Sequence, residues 1–354
     1  MTTVNPLRKQ RGTRPGLPRV FRRRTVPLLL ALQGGGAHGA FTWGILDRLL
    51  EERWLRVAGL SGASAGAMNA VVAASGWVED RHEGARYALH EFWRRVSSSA
   101  GLGGFQPGVA SAWSSGLLML RALTRVASPY QFNPMGMNPL GNILRASVDF
   151  DALRHSQAPQ LLVSAANVHT GRLRLFDNTS INEQALEASA CLPLLFHAVE
   201  IGGEHYWDGG YAANPPLLPL ARLCPRGDLI LVQLNPVRRD DYPRTASDIA
   251  ARINEIGFNA GQLRELETLA QLPRRSGLLG RLAGLPQVRW HRIDTNGALA
   301  DKDESSSMNT DWTHLTQLRD LGRDRAAQWL EHNGTALGRR ATLDLEQMRP
   351  VTGG

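Results

Sequence analysis

The chain has 354 residues, 43% of them apolar, which is enough for one large core or a core with an appendage and excludes a disordered chain. Its formal charge of +8 is local: Arg8, Lys9, Arg11, Arg14, Arg19, Arg22, Arg23 and Arg24 precede the first acidic residue, Asp47, and the other 32 basic residues equal the 32 acidic ones. A basic body built to bind nucleic acid is therefore excluded, and with no uninterrupted apolar run of about 18 residues a membrane-spanning segment is excluded too.

Residues 1–25 read as a basic arm rich in Pro, Gly and Arg, expected to be a mobile solvated tail, with electrostatic contact to anionic lipid or, less expected, nucleic acid as the alternatives. RRRTVPLLLAL imitates a secretory leader, but its apolar run is short and no small-x-small cleavage site follows. Val26 to Leu32 is instead a continuous apolar run, the pattern of a strand covered on both faces. The loop Gln33-Gly34-Gly35-Gly36-Ala37-His38-Gly39 follows, and then Ala40 to Leu50 carries Phe41, Ile45, Leu46, Leu49 and Leu50 at helical spacing. A second strand, about Arg56 to Leu60, runs through Gly62-Ala63-Ser64-Ala65-Gly66 into a small-residue helix. Strand, loop and helix repeated in series predict a parallel sheet.

After Trp93 the composition changes, and an insertion of about 97–148 reads as a lid or substrate channel. It holds a flexible Gly/Ser stretch from Ser97 to Gly104, an apolar helix from Ala110 to Val126, and turn-rich SPYQFNPMGMNPLGN, whose Met135 and Met137 suit a channel lining or a core equally. Gln160 to Asn167 and Arg172 to Phe176 read as strands paired around Thr170-Gly171, and Ile181 to Ala190 as a helix. Ala198 to Ile201 and His205 to Trp207 flank Gly202-Gly203 like a hairpin and lead to Asp208-Gly209-Gly210. Asp228 to Leu234 reads as the last strand, which places the end of the core, 26–236, ahead of a mainly helical region, 237–354, with a turn-rich break at Arg274 to Pro286. Cys191 and Cys224 lack metal spacing and read as buried thiols of a reducing compartment.

Three short motifs carry chemistry. Ser64 sits in G-x-S-x-G between strand and helix, the setting that exposes a hydroxyl on a sharp turn, with Gly62 and Gly66 small enough to let neighbouring backbone pass. The glycine loop ends a strand in the same sheet, so amides of Gly34, Gly35, Gly36 and Ala37, joined by Ala65 at a helix start, can stabilise an oxyanion. Asp208 is the candidate base. A carboxylate of ordinary pKa is ionised across neutral pH but far too weak to ionise serine beforehand, so proton transfer must accompany attack through direct contact between the two side chains.

With these motifs the sequence resembles the patatin-like phospholipases over roughly residues 26 to 236. The family's G-x-G-x-x-G matches Gly34, Gly36 and Gly39, its nucleophile elbow matches Gly62, Ser64 and Gly66, and its D-G-[AG] matches Asp208, Gly209 and Gly210. The resemblance implies a three-layer α/β/α sandwich with a mostly parallel sheet, plus a helical C-terminal extension. It also implies a serine acyl hydrolase with a Ser64–Asp208 dyad, an oxyanion hole in the glycine loop, and neither metal nor cofactor. One departure is His38, where many members carry Arg or Lys; near neutral pH imidazole is the weaker cation.

Rival readings are weaker. A dinucleotide site wants an acidic residue ending the second strand, and this strand ends in Ser61-Gly62. His169, His197 and His205 have no required catalytic role, and Trp43 and Trp207 read as core or site walls. Phospholipid or lysophospholipid is the expected substrate, with neutral glyceride or intracellular polyester as alternatives. The expected setting is cytoplasmic, with the arm in peripheral contact with the inner membrane face. A lipid-binding regulator with an idle dyad is the alternative of another class.

Overall fold

The computed structural model describes residues 25–102, 127–271, 287–299 and 304–348. The basic arm, the Ala110 to Val126 helix and the Arg274 to Pro286 break lie outside the described residues. Val26–Leu32 forms β1 at the centre of an eight-stranded sheet, its apolar run buried on both faces as expected. Leu28, Leu30 and Leu32 face the larger core, while Leu29 and Ala31 face the smaller one. Helices therefore lie on both sides of the sheet. The larger core takes α1 (Gly39–Leu49) and α2 (Ala65–Leu102), the latter broken at Asp80 and Arg81.

The strands are β2 (Leu55–Gly62), β3 (Gln160–Asn167), β4 (Leu173–Asp177), β5 (Val199–Ile201), β6 (Glu204–Asp208), β7 (Asp228–Gln233) and β8 (Arg289–Asp294). Hydrogen-bonded neighbours run β5-β6-β3-β2-β1-β7-β8, with β4 also paired to β3. From β3 through β2, β1 and β7 to β8 all pairs are parallel; β4, β5 and β6 pair antiparallel. The fold is thus the mixed α/β sandwich that the resemblance implies. Further helices are α3 (Leu140–Ser147), α4 (Glu183–Ser189), α5 (Leu217–Leu223), α6 (Ala246–Gln271) and α7 (Trp312–Asn333). Leu217 and Leu220 of α5 and Leu266 and Leu269 of α6 cover the smaller core. No helix among the described residues is long and apolar enough to cross a membrane.

Two segments depart from the sequence expectation. Ser97 to Leu102, read as flexible, continues α2, where the Ser98 hydroxyl donates back to the Arg95 carbonyl at 3.1 Å and so loses its preference for a turn. The region after residue 236 is woven into the core as well as helical. Strand β8 pairs with β7 from Asp228↔Arg289 to Gln233↔Asp294, and α7 lies along α1 with Leu315 and Leu318 fully buried. An ion cluster anchors this edge. Buried Asp228 accepts from Arg289 Nη2 at 2.8 Å and the Gly338 amide at 3.0 Å, and lies 2.9 Å from His291 Nε2. Burial alone would raise its pKa, but these hydrogen bonds outweigh burial and hold it below the ordinary carboxylate value.

Candidate active site

The sheet itself brings position 64 to position 208. On β3, Val163 pairs with Gly62 on one edge and Phe176 on the other, while Ala165 pairs with Asp208 and Arg174. Phe176 and Arg174 both belong to β4, so Gly62 and Asp208 share the opposite edge, two residues apart. Strand β2 ends there and β6 arrives from the other direction. Their carboxyl ends therefore face each other across a gap of two residues, roughly 7 Å along the strand. Ser164, between the two pairs, sends its hydroxyl to the Gly62 carbonyl at 3.2 Å and the Ala213 carbonyl at 3.0 Å, tying both chain ends down.

Ser64 has φ of 51°, a left-handed conformation that costs a non-glycine residue roughly 1–2 kcal/mol and persists only where the surroundings enforce it. Its amide donates to the carbonyl and the hydroxyl of buried Ser189, both at 3.1 Å, so α4 holds the elbow from below. A Cβ on Gly62 would strike the Gly66 backbone and one on Gly66 the Leu32 carbonyl, and Gly39 lies against Ala65 and Trp93. Gly209 abuts Ser164, and Gly210 abuts Phe258 of α6.

Asp208 is fully buried. Its Oδ1 accepts the Gly210 amide at 2.7 Å, its own amide donates to the Cys191 carbonyl at 2.8 Å, and Oδ2 has no hydrogen-bond partner of ordinary geometry. Burial pushes its pKa up to about 7, against the opposing pull of the Gly210 amide and of the Ser64 hydroxyl, which lies close enough to favour the charged form. This corrects the expectation of a carboxylate ionised throughout neutral pH. Raised in this way, the group is a stronger base than an ordinary carboxylate. Burial, with the field of Asp208 added to it, raises the Tyr211 hydroxyl and pushes the Cys191 thiol up to about 12. Cys191 and Cys224 are both free thiols, the first buried and the second partly so.

The glycine loop meets the elbow directly. A Cβ on Gly34 would stand 2.6 Å from the Ala63 carbonyl and 2.9 Å from the Ser64 Cβ, so only glycine allows this approach. The Gly34 amide, however, donates to Asn214 Oδ1 at 2.7 Å. Gly34 is thus removed from the candidate oxyanion donors: its N–H is already spent on a buried side chain. The amides of Gly35, Gly36, Ala37 and Ala65 have no protein acceptor among the described residues. Gly36 takes φ of 59°, and its face is closed by the Ser307 carbonyl. His38 Nε2 lies 2.7 Å from the Ser306 hydroxyl, so it engages a distant segment of the chain.

No histidine hydrogen-bonds to Asp208 or Ser64 among the described residues. His169 and His205 pair with each other on the surface at 3.3 Å, and His197 stacks on Tyr130 with ring centroids 4.1 Å apart. Trp43 is buried in the larger core and Trp207 is half-buried on β6. Met135 and Met137 are 82% and 68% exposed, which rules out the core alternative for them. Sequence reasoning missed Asn214, Ser164 and Ser189. Two of these had a readable signal: Ser164 is a lone hydroxyl inside the apolar run QLLVSAAN, and Ser189 ends a helix otherwise facing the core.

The profile of the patatin-like phospholipase family matches residues 30–221, more than half of the chain. No curated protein sequence matches. Among solved structures the chain is similar to VipD from Legionella pneumophila, at 15% identity over 87% of this chain and 67% of that one, with a TM-score of 0.41. It is also similar to a chain of the heterodimeric ExoU–SpcU complex from the type III secretion system of Pseudomonas aeruginosa. There the identity is 17% over 89% of this chain and 61% of the other, with a TM-score of 0.30.

Proposed function

The chain belongs to the patatin-like phospholipase family, and from that premise we propose that it hydrolyses acyl esters of lipids with Ser64 as nucleophile and Asp208 as base. The observation that carries this reading is the pairing of a serine at φ 51° with a fully buried carboxyl beside it whose pKa is about 7. Strain at the one and desolvation at the other are costs that packing alone gives no reason to bear.

In the proposed reaction Ser64 Oγ attacks the ester carbonyl while its proton passes to Asp208. The tetrahedral oxyanion is held by the amides of Gly35, Gly36, Ala37 and Ala65, each worth about 3 kcal/mol where removal of such a donor has been measured. Collapse breaks the ester C–O bond, and protonated Asp208 returns its proton to the leaving alcohol. Water then attacks the acyl-serine as Asp208 takes a proton from it, and collapse breaks the acyl C–Oγ bond while Asp208 returns that proton to Ser64 Oγ, releasing the fatty acid.

A lipid rather than a polar ester is supported by exposed apolar side chains on the segments that flank Asp208. Leu194 lies three residues past Cys191, whose carbonyl accepts the Asp208 amide, and Tyr211 lies three past Asp208. Phospholipid or lysophospholipid is the substrate class we favour, with peripheral attachment to anionic membrane through residues 1–24. The test is fatty-acid release from phosphatidylglycerol–phosphatidylcholine vesicles. Wild type should release acid and Ser64→Ala none; equal release by both proteins would remove the proposal.

A further inference from the structure

We propose that Ser306 is a positioning residue for the reaction: through its contact with His38 it holds the glycine loop in the shape that presents the amides of Gly35, Gly36 and Ala37. The inference rests on the functional reading above and extends it to a part of the chain beyond residue 236.

An oxyanion hole works only if its donors are already in place when charge develops, because reorganising them during the reaction returns the cost to the barrier. A loop with four glycines in six positions has little stiffness of its own. Its start is fixed, since the Gln33 carboxamide oxygen accepts the Leu234 and Asn235 amides at 2.7 Å and Asn214 holds the Gly34 amide. Its end is fixed by α1, which begins at Gly39. Between these anchors lie the three amides with no protein acceptor, and there the short helical turn Glu304–Met308 supplies the support. The Ser307 carbonyl closes against Gly36, and the Ser306 hydroxyl meets His38 Nε2 at 2.7 Å.

The bond joins positions 268 residues apart, so the C-terminal region completes the site and does more than flank it. Either tautomer of His38, or its protonated form, can make this bond, because a hydroxyl both donates and accepts. The role is geometric, and Ser306 transfers no proton to substrate.

The test uses the full chain with a soluble p-nitrophenyl butyrate substrate, comparing Ser306→Ala, Ser306→Thr, His38→Ala and the double variant His38→Ala/Ser306→Ala. Ser306→Ala should lower kcat about tenfold with KM within about twofold and an unchanged melting temperature, as expected for a small misplacement of reacting groups. Thr should restore most of the rate, and the double variant should lose less than the two single losses multiplied together, because the two side chains share a contact. Unchanged kcat in Ser306→Ala, a loss shared equally by Ser306→Thr, or a loss that follows melting temperature would overturn the assignment. So would a rise in kcat, which would make the contact a brake. Ser64→Ala, assayed alongside, separates the two levels. Turnover persisting there removes the dyad, whereas turnover lost there with wild-type kcat in Ser306→Ala removes only the support.

Discussion

Replacing Asp208 by Asn should make the protein more stable at alkaline pH while stopping the reaction, and the size of the gain follows from burial. The carboxyl has its pKa pushed from an ordinary 3.8 to about 7 by desolvation. A group whose folded pKa is raised stabilises the fold most below its unfolded pKa, and that stability is lost as pH rises through the folded value. At about 1.36 kcal/mol per unit, the wild-type protein loses about 4 kcal/mol from this one group between acid and alkaline pH. Roughly 1.5 kcal/mol of this is gone by pH 5, so about 2.5–3 kcal/mol remains to be lost by pH 8.5. Asn keeps the oxygen that accepts the Gly210 amide and carries no charge to desolvate. Urea unfolding of both proteins at pH 5 and pH 8.5 should therefore show the stability difference moving toward the variant by about that amount. The same titration sets the rate: wild-type kcat/KM should climb with pH and level off above about 7, and Asp208→Asn should have no measurable rate to titrate. A stability difference that is flat from pH 5 to 8.5 would mean that the carboxyl has an ordinary pKa despite its burial, contrary to this prediction.

Three further outcomes are expected. Gly34→Ala places a methyl group 2.6 Å from the Ala63 carbonyl and 2.9 Å from the Ser64 Cβ, so ester turnover should fall by at least about a hundredfold, read by steady-state kinetics. Asn214→Leu leaves the buried Gly34 amide without its acceptor and should cost about 1–3 kcal/mol of stability by chemical denaturation, with a fall in kcat. Deleting residues 1–24 removes eight cations and should weaken binding to anionic vesicles at low salt, while hydrolysis of a soluble ester stays at the wild-type rate.

What could be read from sequence divides along physical lines. Val26–Leu32 and Gln160–Asn167 were legible because strands buried on both faces are written as apolar runs, and local context alone fixes them. Strand β8 was not: in Arg289–Asp294 the polar Arg289 and His291 interrupt the pattern, and they are tolerated only because Asp228, distant in sequence, neutralises or hydrogen-bonds them. The site divides in the same way. Its three motifs are strings of small residues beside a reactive one, and short-range sterics demand them. Ser164, Ser189 and Asn214 act by long-range hydrogen bonds, whose partners no local pattern names. The ionisation of Asp208 was likewise out of reach, because its pKa depends on how completely the fold covers β6, a property of packing and not of the tripeptide Asp208-Gly209-Gly210.

The most direct test of the central claim is to react the protein with a fluorophosphonate and locate the adduct by peptide mass spectrometry. One adduct is expected, on the peptide containing Ser64, formed faster as pH rises through about 7 and absent from Ser64→Ala. An adduct elsewhere, or none on a folded protein, would contradict the claim.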